Sequence, residues 1–240
     1  MYKLIDYFKA LLIIPMTLIL SGVSMTSEKV DNSVSELFKY SLIGSITNGD
    51  NTQFVFVIES LSFLIFFVIL YGNIIHRNFC MAADYRFSRI SNRVRWYFRE
   101  CIHLFGVTFV YSFFYLIIKL IIAINISLYE CNGDAIEYFV LFFCWMCCLN
   151  VIFTLVVNMV ALIKGTNFSM IAFSISVVIL VSLAIVTSSY RIPSFANPLS
   201  INLEWLAWVK VLYLVGIAAV VGIVYGLYIR KYDIGVKGEM

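Results

Sequence analysis

His76–Glu100 reads HRNFCMAADYRFSRISNRVRWYFRE. Six arginines (Arg77, Arg86, Arg89, Arg93, Arg95 and Arg99) stand in it against two acids, Asp84 and Glu100. On both sides the chain is almost uninterrupted hydrocarbon, from Phe54 to Ile75 before it and from Cys101 to Leu128 after it. A charged segment of this kind is expelled from lipid, so it is a water-facing connection between two membrane spans. Its sign says which water, because basic connections stay on the cytoplasmic side.

The whole composition agrees. The chain is 62% hydrophobic and 13% charged, with a mean hydropathy of +0.95. A soluble domain is nearer half apolar and a quarter charged. The apolar residues fall in runs of roughly 20, the length that crosses a hydrocarbon core as helix. Six spans are expected, at Leu4–Ser24, Phe54–Ile75, Cys101–Leu128, Tyr138–Ile163, Ser169–Ser188 and Trp205–Tyr228. Continuous runs fit helices rather than the short alternating strands of a barrel. The fold class is therefore all-α: a polytopic membrane protein in one transmembrane domain, residues 1–240. A short basic start before Leu11–Leu20 also resembles a signal peptide, but Asp6, Pro15 and the lack of an Ala-x-Ala site favour a retained span.

With both termini cytoplasmic, the inner side holds Lys3, Lys9, the loop arginines, Lys164, Arg230, Lys231 and Lys237, and the outer side only Lys29, Lys39 and Arg191. Topology thus accounts for the positive charge, and nucleic acid is not an expected partner. The connections differ in kind. Met25–Gln53 is a polar, acidic outer loop, Lys164–Asn167 a tight inner turn, and Ser189–Glu204 an apolar outer segment with Pro193 and Pro198 that either re-enters the membrane or packs as an ordinary loop. Cys144, Cys147 and Cys148 lie inside a span without a nearby histidine, and read as small buried hydrophobes rather than a metal site.

The middle of the basic loop holds more than topology needs. Asp84 can cap a short helix through Tyr85–Ile90, with Ser91-Asn92 breaking it and capping the next. Arg86, Arg89 and Arg93 share one helical face, and Phe87, Ile90 and Val94 the adjacent one. Such a surface suits anionic lipid, at about 1 kcal/mol per basic residue, or a groove on a soluble partner. Within the spans, Lys119, Glu59 and Lys210 are costly in lipid and form a candidate substrate path. Lys119 is the deepest and the first choice. Glu59 and Lys210 lie near the same outer face, where they could pair; snorkelling of Lys210 and water at Glu59 are the preferred explanations for these two. Asn150, Asn158, Ser174, Ser176 and Ser182 are expected to join helices by hydrogen bonds.

Six spans with both ends inside, a short cytoplasmic helix between spans two and three, and a proline-containing apolar segment between spans five and six make a layout that resembles the permease subunits of type-2 ATP-binding-cassette exporters. Tyr85–Trp96, YRFSRISNRVRW, is similar to the loop of small permeases encoded beside bacteriocin and lantibiotic transport genes. The resemblance covers the layout of the whole chain but about a dozen residues of sequence. It implies that Arg86, Phe87, Arg89, Ile90 and Arg93 form the coupling helix, seated in a separate cytoplasmic ATPase. It also implies a second permease subunit, identical or related, and a multi-pass protein of a bacterial cell membrane. ATP and Mg would be bound by the partner and none directly by this chain, which has no Gly-x-x-x-x-Gly-Lys-[Ser/Thr] loop. The chain is thus not expected to be an enzyme: it also lacks His-Glu-x-x-His and Gly-x-Ser-x-Gly, and offers no metal ligand set. Two other readings remain: an immunity or regulatory membrane protein that works without an ATPase, and an intramembrane enzyme. Substrate and direction of transport are not legible.

Overall fold

The computed structural model describes residues 2–26, 51–85, 93–125, 135–189 and 206–231. These form eight helices and, among the described residues, no strand. They are α1 (Tyr2–Ala10), α2 (Ile13–Thr26), α3 (Asn51–Tyr71), α4 (Ile74–Tyr85), α5 (Arg93–Asn125), α6 (Ala135–Lys164), α7 (Thr166–Ser189) and α8 (Leu206–Lys231).

Two expected spans are each divided by a local break. Pro15 has no N–H to offer the Leu11 carbonyl. Ile14 N–H takes that carbonyl at 3.0 Å instead, and Leu11 and Leu12 tighten onto Phe8 and Lys9. Pro15 then falls in the first turn of α2, where a missing donor costs nothing. Between α3 and α4 the break is at Gly72, whose N–H reaches the Val68 carbonyl at 2.6 Å. A Cβ at this position would run into that carbonyl oxygen and the Val68 side chain. The helix restarts with Arg77 N–H donating to the Asn73 carbonyl at 2.9 Å. Asn158 of α6 caps the new N-terminus by accepting the His76 N–H at 2.8 Å. The expected tight turn after α6 is a single residue, Gly165, at φ +92°, a conformation that disfavours any residue with a Cβ.

α5 and α6, the longest helices, are the axis of the bundle. α5 carries α1, α2, α4 and α8 along its length, while α6 carries α3, α4, α7 and α8. Between α3 and α5 lies an aromatic slab. Phe63, Phe67 and Tyr71 recur every four residues on one helix, Tyr111 and Tyr115 do so on the other, and ring centroids approach to 4.3 Å at Phe63–Tyr115 and 4.9 Å at Phe67–Tyr111. The cysteines read as hydrophobes behave so: Cys147 is buried, and Cys144 and Cys148 pack against the same core.

The outside is as apolar as the inside. α7 buries a stripe at Ser169, Phe173 and Val177 but exposes Ile171, Ile175 and Val178; α8 exposes Leu212, Val220, Ile223 and Leu227. A surface of that extent needs hydrocarbon as its solvent. Five helical stretches are long and apolar enough to cross a membrane: Leu4–Gly22, Leu61–Cys80, Arg93–Asn125, Phe139–Lys164 and Val211–Arg230. The described residues are all helical, and the chain is a multi-pass membrane protein.

The helix that enters the third span begins at Arg93, directly after Ser91-Asn92 as expected, and one expectation needs correction. Asp84, expected to open a short helix, instead lies in the last turn of α4, because nothing in Ile74–Tyr85 interrupts the helix and Phe79 anchors it on Trp96, ring to ring at 5.7 Å. The outer segment Ser189–Glu204 falls almost wholly outside the described residues.

Gly72→Ala should destabilise the fold by roughly 1–3 kcal/mol, because its Cβ would overlap the Val68 carbonyl and side chain. Gly216→Ala, where a Cβ has open space, should leave the thermal unfolding midpoint in detergent unchanged. Equal midpoints for the two variants would show that the α3–α4 break does not depend on Gly72.

Candidate functional site

α3 and α5 run antiparallel. Glu59 lies about two turns from the start of α3 and Lys119 about two turns from the end of α5, so the two side chains meet at one level. Lys119 Nζ stands 3.0 Å from Glu59 Oε2. The other carboxylate oxygen accepts the Ser21 hydroxyl of α2 at 2.6 Å and the Tyr115 hydroxyl at 2.9 Å. Both charged side chains are buried, Glu59 1% and Lys119 0% exposed. Opposite charges so placed offset much of each other's desolvation cost, provided their remaining hydrogen-bonding capacity is filled. Ser21 and Tyr115 supply that filling, and the cluster staples three helices, α2, α3 and α5.

Lys119 is thus a direct partner of Glu59; the Glu59–Lys210 pairing weighed from sequence involves a side chain outside the described residues. The burial of Glu59 also removes the expectation that water reaches it. Of the three residues of the candidate path, the structure brings two together. The antiparallel run of α3 and α5 brings Lys119 level with Glu59.

Below the pair, hydroxyls lead along the α3–α5 seam to a second polar cluster. Tyr111 donates to the Phe63 carbonyl at 3.0 Å and packs edge-on to Tyr71, which donates to the Asp6 carbonyl at 2.8 Å. The Asp6 carboxylate, almost fully buried, lies 3.4 Å from Arg77, 3.7 Å from Lys9 and 4.0 Å from His103. A negative group from α1 thereby fixes the basic entrance to α4 and α5. Arg77, read from sequence only as a topology signal, is also a structural partner.

Beyond this layer α4 and the first turns of α5 continue together. Asn78 donates to Glu100 at 2.9 Å, and Phe79 packs on Trp96. Past Arg77 the hairpin extends for roughly 12 Å of helix on each side, and its tip is the seven residues 86–92. Arg86, Phe87, Arg89 and Ile90 belong to that tip and lie outside the described residues; Arg93 is partly buried at the first position of α5.

The other polar residues divide. Asn158 does join helices, by capping His76 of α4 while its own carbonyl receives the Tyr225 hydroxyl of α8 at 3.4 Å. Ser174 and Ser176 instead bond back to the carbonyls of Met170 and Ala172 in their own helix. Asn150 is fully buried with no hydrogen-bond partner among the described residues; Ser182 lies among the side chains not described. Sequence reasoning missed Ser21, Tyr115 and Asp6 as site residues. A Tyr115–Lys119 spacing of four, which puts both on one helical face, was the available signal for Tyr115.

Comparison of the chain with family models, curated proteins and solved structures finds no match.

Lys119→Met should cost about 3–5 kcal/mol by leaving the Glu59 charge buried without its counter-charge. Adding Glu59→Gln should restore most of the loss in a double-mutant cycle read by thermal unfolding. Additive losses would mean that the two side chains do not interact in the membrane.

Proposed function

We propose that this chain is the transmembrane subunit of a transporter driven by a separate ATPase. On this reading α7, 24 residues long, completes six spans, both termini are cytoplasmic, and the tip between α4 and α5 docks into the ATPase. The observation that carries the proposal is the α4–α5 hairpin. Two helices clamped to each other lead into and out of residues 86–92, the connection that holds Arg86 and Arg89. α5 then runs without a break from Arg93 past Lys119 to Asn125, 33 residues in all, or roughly 50 Å of helix. A push on the tip therefore displaces the buried pair as part of one rigid rod. α4 is joined to α3 through the Gly72 break, so the second helix of the hairpin can tilt without dragging its whole span.

In that mechanism Arg86, Phe87, Arg89 and Ile90 make the contact, and Arg93 fixes the start of the rod. ATP and Mg belong to the partner. Glu59 and Lys119 act as a latch: closed as a pair, they hold α2, α3 and α5 together, and opening would expose a charged lining to a peptide or other amphipathic substrate. A second permease copy, identical or related, would provide the opposite wall of the path. The sidedness of charge supports the orientation. Lys9, Arg77, Arg93, Arg95, Arg99, Lys164 and Arg230 all mark one end of the helices, whereas Glu137 and Trp208, bonded at 3.3 Å, mark the other.

The chain, tagged and extracted gently from its native membrane, should bring with it a nucleotide-binding protein and ATP hydrolysis. Arg86→Glu with Arg89→Glu should abolish that hydrolysis while membrane insertion and thermal stability stay intact. Undiminished hydrolysis in the double variant would remove the docking assignment, and extraction without any nucleotide-binding partner would remove the transporter reading itself.

A further inference from the structure

A groove of about 390 Å³ opens sideways between α5, α6 and α8. Phe98, Ile102 and Phe105 form one wall, Leu155 closes the back, and Gly222 and Ile223 form the other wall. The groove exists because Ala218, Ala219 and Gly222 leave α8 without side chains to fill it. Its lining is apolar, and its mouth faces outward: Ile102 is 73% exposed and Ile223 56%. All three bounding segments are long and apolar enough to cross a membrane, so the mouth opens to lipid.

One end of the groove is charged. Tyr97 donates to the Gly222 carbonyl at 3.0 Å, and Gly226 lies against the Tyr97 ring. That contact sets the register of the antiparallel α5 and α8. Arg95 precedes Phe98 and Ile102 by three and seven residues, hence shares their exposed face; Arg230 follows Ile223 by seven and shares its face. The register brings both arginines to the same end of the groove, about one turn beyond its apolar lining. Arg99 is exposed beside them. Glu100, on the same turns, is buried and bonded to Asn78 in the opposite direction. The result is an apolar slot parallel to the helices with a positive rim at its basic end.

We propose that this groove seats an acyl chain of one anionic phospholipid, with its phosphate held at the rim by Arg95, Arg99 and Arg230. The size falls within the range of small-molecule sites, and the chemistry matches at both ends of such a lipid: methylenes against Phe98, Ile102 and Ile223, phosphate oxygens against guanidinium groups. A second copy of the chain fits less well. Two copies inserted in the same direction would place basic end beside basic end, arginine against arginine, with no exposed acid at the rim among the described residues to separate them. The proposal does not depend on the transporter reading; it needs only the basic end to lie at a lipid headgroup layer.

The test uses the delipidated full-length protein in detergent, native mass spectrometry, and two lipids with the same oleoyl chains, phosphatidylglycerol and phosphatidylcholine. Wild type should retain one phosphatidylglycerol in clear preference to phosphatidylcholine. Each basic residue near a headgroup contributes roughly fivefold, so Arg95→Gln with Arg230→Gln should reduce the preference by about thirtyfold. Arg77, Arg86, Arg89 and Arg93 remain to hold the orientation. Ala219→Trp, at an exposed position of the lining, should displace both lipids without unfolding the bundle. Equal retention of the two lipids by wild type, or an undiminished preference in the arginine variant, would overturn the proposal. So would a dimer that Ala219→Trp dissociates, since the groove would then belong to a second copy.

Discussion

A carboxylate and an ammonium held inside an apolar bundle set the terms for the rest of this structure. Lys119 and Glu59 meet at 3.0 Å with neither exposed to the surroundings. Separated in hydrocarbon, each would be strongly disfavoured; together, with Ser21 and Tyr115 bonded to the carboxylate, they are tolerable only in one arrangement of α2, α3 and α5. Apolar packing alone does not supply that specificity in a membrane, where lipid chains compete with side chains on equal terms. The aromatic slab beneath the pair and the Asp6 cluster at the basic end extend the same register along the α3–α5 seam. The bundle is thus fixed at two levels by charge and between them by tyrosine hydroxyls that end on backbone carbonyls.

Much of this was legible in the residues, and the boundary of legibility has physical causes. Apolar runs of about 20 residues have one solution in lipid, so helices and their order follow from hydropathy alone. Gly165 and the lysine before it announce the turn after α6 for the same local reason. Breaks inside a span are harder, since Gly72 and Pro15 are common enough in membrane helices to pass without a kink. Pairing is harder still. Lys119 and Lys210 both offer an ammonium to Glu59, and hydropathy does not say which helices lie side by side; the packing of α3 beside α5 brings Lys119 to it. Asp84 misled because an acid can open a helix or sit near the end of one; the Phe79–Trp96 contact that carries α4 past it joins residues on different helices.

The basic connection also changes meaning. From sequence it marks the cytoplasmic side, and its central residues resemble a coupling helix. In the structure its flanks are two helices clamped by Asn78–Glu100 and Phe79–Trp96. One of them is the start of α5, which runs on past the buried pair, and the other is separated from α3 by the break at Gly72 and capped by Asn158. A stiff connection and an interrupted one leaving the same tip can turn a movement outside the membrane into a relative movement of α3 and α5 within it. On the proposed transporter reading, the seam such a movement would open is the one closed by Glu59 and Lys119.

The docking contact is the point at which the account can be met most directly. A photo-crosslinking amino acid in place of Arg89, activated in intact cells of the native host, reports what touches the tip. The account predicts a covalent adduct with a protein that carries a nucleotide-binding loop. Adducts with lipid alone, or only with another copy of this chain, would contradict it.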